Sequence, residues 1–123
     1  MNSSMSVFAD AVVVITVGRI DQATAGAFGT TLGEAVEKAK AANAQIVVDM
    51  SGVDYISSVG LRAFMVANKA AQPAKVGIRV AAMTDMVAEV FSISKFDMVF
   101  KTFSDVPSAL ADVSEAAAAA YSA

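Results

Sequence analysis

The chain has 123 residues, 56% of them hydrophobic and 17% charged, with a net charge of −3. That length suits one domain with a core large enough to stand without staples. With no cysteine and no histidine, disulfides, thiol nucleophiles, iron–sulfur clusters, serine–histidine–aspartate hydrolysis and the usual zinc sites are excluded. The few lysines and arginines are scattered singly from Arg19 to Lys101, which leaves no stripe to neutralise nucleic-acid phosphates. The longest apolar stretch, Ala11–Val17, is broken by Thr16 and falls far short of the ~20 residues of a spanning helix. The opening Met-Asn-Ser-Ser-Met-Ser has no basic segment before an apolar run, so no secretory signal is expected. The cytoplasm is the expected setting.

The first pattern, Val7–Val17, has a turn-like Ala9-Asp10 in its middle. Its Val12–Val17 portion is β-branched at every position and reads as a buried strand that Gly18 ends. Phe28, Leu32, Val36 and Ala39 then recur at helical spacing, opposite Glu34, Glu37, Lys38 and Lys40. Asp21 or Thr24 is the expected cap at the start of this helix, and Asn43 its close. Ile46–Val48 reads as a central strand, Asp49-Met50-Ser51-Gly52 as a turn, and Val53–Ile56 as a weak alternation leading into Ser57-Ser58.

Ser57-Ser58 is expected to cap a helix that carries Leu61, Phe64, Met65 and Asn68 on one side and stops at Pro73. Val76–Ala82 reads as a third main strand, and Thr84-Asp85 as the start of a short helix with Val87, Val90 and Phe91 inward. Phe96–Phe103 holds a brief edge strand, and Ser104-Asp105-Val106-Pro107 begins a helix with Leu110 and Val113. The fold class is therefore α/β, a single domain over residues 1–115 with a mixed four- to five-stranded sheet and four helices packed against it. Residues 116–123 read as an alanine-rich C-terminal tail, helical by propensity and frayed.

Most candidate motifs dissolve on inspection. Gly26, Gly29 and Gly33 match no phosphate-loop pattern and read as small residues for close helix–sheet packing. Asp49 to Asp54 lacks calcium-loop spacing. Met83, Met86 and Met98 read as core filling. No pair of carboxylates makes a recognisable acid–base site, so neither catalysis nor a cofactor is expected. Ser57-Ser58-Val59-Gly60-Leu61 stands apart. Two hydroxyls stand where a strand meets a helix, with unpaired N–H groups and the positive end of the helix dipole beside them. A phosphate on either serine would sit in favourable electrostatics. Gly60 leaves the first turn without a side chain, which would let a partner approach closely. The plainer reading makes Ser57 only a cap and Ser58 an exposed first-turn residue.

The run Val48-Asp49-Met50-Ser51-Gly52-Val53-Asp54-Tyr55-Ile56-Ser57-Ser58-Val59-Gly60-Leu61-Arg62 resembles the signature of STAS domains, the bacterial anti-sigma-factor antagonists, D-L-S-x-V-x-F-I-D-S-S/T-G-L. Gly18-Arg19-Ile20-Asp21 is similar to the family's G-x-L-D. Ser57 stands where the family has aspartate, and Val59 where it has serine or threonine. The resemblance spans residues 5–115 and implies a domain that performs no chemistry itself. It implies Ser58 as phosphoacceptor, and a partner surface of Asp21, Ser57, Ser58, Val59, Gly60 and Arg62. The implied partners are an anti-sigma factor that is also a serine kinase, bound by the unmodified form, and a serine phosphatase that resets the switch. Neither nucleic acid nor membrane is an implied partner, and the chain is expected as a monomer or weak dimer. The alternative is a constitutive STAS accessory subunit of an ABC-type transporter, or a signalling scaffold, without a phosphate switch.

Overall fold

A hairpin opens the chain. In the computed structural model, which describes residues 1–122, β1 (Asn2–Phe8) turns through Ala9 and Asp10 into β2 (Ala11–Ile20). Ala9 takes the positive φ of 54° that such a tight turn needs at its first position. The valine run packs as expected, with Val12, Val13 and Val14 buried. Gly18 does not end the strand. It sits at φ 108°, open to glycine without strain, and bends β2 so that pairing resumes through Ile20.

β2 is the first of four βα units, continued by α1 (Ala25–Ala42), β3 (Gln45–Ile56), α2 (Ser58–Ala71), β4 (Ile78–Ala81), α3 (Asp85–Ile93), β5 (Lys101–Phe103) and α4 (Val106–Val113), with α5 (Glu115–Ser122) at the end. The sheet order is β1-β2-β3-β4-β5, with β1 antiparallel to β2 and every other pair parallel. Each crossover steps to the next strand in one direction. A uniform right-handed crossover then places α1, α2 and α3 on one face. Phe28, Leu32 and Val36 of α1, Phe64 of α2 and Phe91 of α3 pack there on Val12, Val14, Ile46, Val48 and Val80. Phe64 is the centre of this layer, its ring edge-to-face with Phe28 at 5.2 Å and with Phe91 and Phe100 at 5.5 Å. The opposite face is covered by α4 and α5 through Val106, Ala109, Leu110 and Ala117 on Ala11, Val13, Val47 and Ala81.

Several expectations are corrected. Asp49–Gly52 is not a turn, because β3 runs straight through it. Two irregularities in the β2–β3 pairing, between Ile15 and Val17 and between Gly18 and Arg19, absorb the extra residues as bulges. The Asp49 carboxylate accepts from Ser51 N–H at 3.0 Å, so the turn-forming side chain is satisfied inside the bulge. Gly52 has a packing reason, since a Cβ there would stand 2.9 Å from Val17 Cγ2. The third main strand is shorter than Val76–Ala82, and the expected Phe96–Phe103 strand divides into a 3-10 turn at Phe96–Met98 and β5. The last expected helix begins at Val106, capped by Asp105, whose carboxylate accepts from Ser108 N–H at 2.8 Å.

Over residues 116–122 the alanine-rich tail is a docked helix within α5, and residue 123 lies outside the described residues. Ala117 is buried, Tyr121 stacks edge-on against Phe8, and Ser114 caps α5 while bonding Asp10. Met86 and Met98 are not core, being 56% and 80% exposed, while Met83 packs partly against it. Met65 of α2 is also exposed, and Ala67 and Ala71 take the inward places beside Leu61 and Phe64. A Cβ on Gly29 would stand 3.7 Å from Ala63 Cβ of α2, and one on Gly26 or Gly33 would meet nothing within 4 Å. These glycines therefore line a helix–helix groove rather than a helix–sheet contact.

Candidate functional site

Pairing between β3 and β4 stops at Asp49 and Ala81, but β2 and β3 continue together to Ile20 and Ile56. This two-stranded extension carries the candidate residues. Asp21 follows Ile20, and Ser57 follows Ile56, so both leave adjacent strand ends, which lie about 4.8 Å apart in a sheet. The Ser57 N–H donates to Ile20 C=O at 2.8 Å and ties the start of α2 to the end of β2. Thr84, at the cap position of α3, turns its hydroxyl to Val53 C=O at 3.2 Å instead of capping its own helix. The loop after β4 is thereby pinned to the same extension.

Ser57 is the cap of α2. Its backbone is extended (φ −87°, ψ 169°), and its Oγ accepts from Gly60 N–H at 3.2 Å. Ser58 is the first helical residue, exposed, and its hydroxyl makes no hydrogen bond among the described residues. One serine holds the helix end and leaves the other's oxygen unspent. Val59 is 46% exposed beside it, and Arg62 is exposed one turn on. No acid stands on α2 from Ser58 to Ala71, so Arg62 and Lys69 give its outer face a positive character.

Gly60 belongs to the inside. It is buried, and a Cβ on it would lie 2.7 Å from Ile20 Cγ2 and 2.8 Å from Ile56 Cγ1. Glycine is needed for α2 to sit on the strand ends, not for a partner to approach.

Asp21 closes the entry to α1. Its carboxylate accepts from the N–H of Ala23 at 3.0 Å and of Thr24 at 3.2 Å, and from the Thr24 hydroxyl at 3.2 Å. That hydroxyl also reaches Arg19 C=O at 2.8 Å. Desolvation alone would raise the Asp21 pKa, but these donors, with Arg19 at 3.6 Å, outweigh it and hold the carboxyl below its ordinary value. Arg19 in turn lies 4.4 Å over the Tyr55 ring. Of the two expected caps, Thr24 holds the cap position without a side-chain bond to the helix, while Asp21 binds the turn before it and its C=O accepts from the first helical N–H, Ala25, at 2.8 Å.

Between α1 and α2 runs an open groove of about 460 Å³. Gly26, Gly29 and Gly33 form one wall, Val59, Ala63 and Val66 the other, and Arg62 stands at its edge. The groove begins at the turn that carries Ser58. Sequence reasoning missed it, although three glycines on one face of a helix were its visible trace. Thr16 is the one buried polar residue among the described residues, bonded to Ser3 through their hydroxyls at 3.1 Å. No group of three or more acidic side chains is placed to hold a metal ion, and no helix is long and apolar enough to cross a membrane, among the described residues.

A one-directional parallel sheet with a leading hairpin, three helices on one face, and a serine cap where the β3 end meets α2 define a single α/β domain. The STAS domain model matches residues 3–109, and the chain belongs to that family. Solved structures agree in fold. A protein described as a putative anti-sigma factor antagonist from Thermotoga maritima superposes with a TM-score of 0.80 at 18% identity, over 90% of this chain and 93% of that one. An anti-sigma factor antagonist from Mycobacterium paratuberculosis gives 0.77 at 23% identity, over 91% and 92%. A STAS domain protein from Planctomyces limnophilus gives 0.81 at 16% identity, over 91% and 97%. No curated protein matches in sequence.

Proposed function

We propose that this domain is a phosphorylation-controlled antagonist of an anti-sigma factor. In this reading Ser58 is the phosphoacceptor, and the unmodified form binds an anti-sigma factor that is also a serine kinase. A serine phosphatase resets it, and all three act in the cytoplasm. The observation that carries the reading is the division of labour between two serines. Ser57 caps α2, and Ser58 presents a free hydroxyl next to Val59, on the turn leaving the strand end paired with the one that Asp21 leaves. A similar fold has been solved in phosphorylated form, the Bacillus cell fate determinant SpoIIAA, with a TM-score of 0.61 and 12% identity over 82% of this chain.

The electrostatics suit such a switch. A phosphate on Ser58 carries about −1.5 to −2 charges at neutral pH. The α2 N-terminus stabilises it by about 0.3–1 kcal/mol, and Arg62, four residues on, supplies a counter-charge on the same helix face. The fold therefore tolerates the modification. A partner surface shaped to a small neutral hydroxyl does not, because bulk and an unpaired charge both oppose docking.

The test is calorimetric titration of wild type, Ser58→Ala, Ser58→Asp and Ser58-phosphorylated protein against a kinase-type anti-sigma factor from the same genome. Ser58→Ala should bind as wild type does, and the phosphorylated protein at least about tenfold more weakly. Ser58→Asp should fall between them, since one carboxylate has less charge. Equal binding by all four would remove the switch and leave the constitutive accessory-subunit reading in its place.

A further inference from the structure

The two edges of the sheet are built differently. β5 is three residues long, and its exposed Lys101 pairs with Asp112 of α4 at 3.4 Å. A short strand bearing lysine is how natural sheets refuse an edge partner. β1, at the other edge, is seven residues long, Asn-Ser-Ser-Met-Ser-Val-Phe, with neither a charge nor a proline. Its pairing with β2 runs in unbroken register from Asn2↔Val17 to Phe8↔Ala11, so no bulge twists it away.

The register also says which backbone groups are free. Phe8 opposes Ala11 across a two-residue turn, which makes that pair the hydrogen-bonded kind. By alternation Ser6, Ser4 and Asn2 spend their N–H and C=O on β2, while Val7, Met5 and Ser3 point theirs outward. Among the described residues no loop, helix or side chain bonds the backbone of Ser3, Met5 or Val7. An antiparallel edge of this kind is its own complement.

We infer that β1 pairs with β1 of a second copy of this chain, antiparallel about a two-fold axis at Met5, so that Ser3 faces Val7 of the partner and the two sheets become one of ten strands. The symmetry leaves no unpaired edge except the two blunted β5 strands, so the assembly stops at two. β2 lies between this edge and the strand that leads into Ser57 and Ser58. The pairing is therefore independent of the phosphate reading. The contact is mostly backbone, so the dimer forms reversibly as concentration rises.

Sedimentation equilibrium from micromolar to millimolar concentration reads it directly. The wild-type mass should climb from the 12.6 kDa of one chain toward twice that value. Amide exchange at Ser3, Met5 and Val7 should slow over the same range. Val7→Pro removes one outward N–H and leaves the β1–β2 bonds in place, and Val7→Lys sets a charge on the exposed edge. Both should stay at the mass of one chain, with folding checked by circular dichroism. Val7→Lys keeps the test intact should the proline variant not fold. A wild type that remains monomeric at millimolar concentration overturns the inference. So does a folded Val7→Lys that associates as strongly as wild type.

Discussion

Replacing Gly60 by alanine tests whether the start of α2 is set by the strand ends beneath it. In an ordinary helix the change would stabilise by up to about 1 kcal/mol, because alanine restricts the unfolded chain and favours the helix. Here the new Cβ would stand 2.7 Å from Ile20 Cγ2 and 2.8 Å from Ile56 Cγ1. Neither contact is the flexible end of a long side chain. Both isoleucines are β-branched and stiff at χ1, and they are 0% and 2% exposed. Overpacking of this kind costs about 1–3 kcal/mol, and the upper half of that range applies where the neighbours cannot turn aside. The net expectation is a loss of about 1–2 kcal/mol, or a fall in Tm of about 4–8 °C for a chain of this size. Gly26→Ala and Gly33→Ala are the internal controls, since a Cβ at either meets nothing within 4 Å. Each should gain about 0.5–1 kcal/mol. Thermal and urea unfolding followed by circular dichroism reads all three. If Gly60→Ala matches or exceeds the wild type in stability, α2 does not rest on Ile20 and Ile56 as described.

Three further outcomes are expected. Asp21→Ala should lower Tm by a few degrees through loss of its bonds to Ala23 and Thr24, and Asp21→Asn should lose less because one acceptor remains; equal Tm in all three would show that the carboxylate caps nothing. Asp21 is joined by Asp105, lowered by its bonds to Ser108, and Asp112, lowered by Arg79, in having a folded-state pKa below the ordinary 3.8. The stability these groups contribute is complete above the unfolded value and is lost as pH falls through the folded ones. The urea midpoint should therefore hold from neutral pH to about 5 and decline below about 4, and a midpoint that rises on acidification would contradict this. Phe64→Ala removes the ring shared by Phe28, Phe91 and Phe100 and should cost about 3–5 kcal/mol in chemical denaturation. A cost below about 1 kcal/mol would mean the cluster closes over the gap without Phe64.

The sequence readings that held concerned either an element's own relation to a core or chemistry between neighbours in the chain. Phe28, Leu32, Val36 and Ala39 repeat at the helical period, and all are buried. Val12–Val14 and Ile46–Val48 are apolar because both faces of those strands are covered, which a short β-branched run records directly. Ser57 was legible as a cap because capping is local chemistry between neighbours in the chain. The signature around Ser58 named the family for the same reason, since its residues are contiguous.

What the sequence left open depended on which other element lies alongside. Asp49–Gly52 carries turn-forming residues, yet pairing with β2 holds it extended, because the ladder bonds of a bulged strand outweigh a local preference. Gly60 looks like an open spot until Ile20, forty residues earlier, is placed against it. Met86 and Met98 are apolar but exposed, and the alanines of α5 are weakly apolar but include a buried residue, because strand order and crossover hand decide which faces are covered. The bare edge at β1 has the same origin. Only Val7 and Phe8 of β1 lie in the strand pattern read from the sequence, and Asn2–Ser6 are drawn into it by pairing with β2. Its place at the end of the order β1-β2-β3-β4-β5 leaves its outward backbone groups without a neighbour.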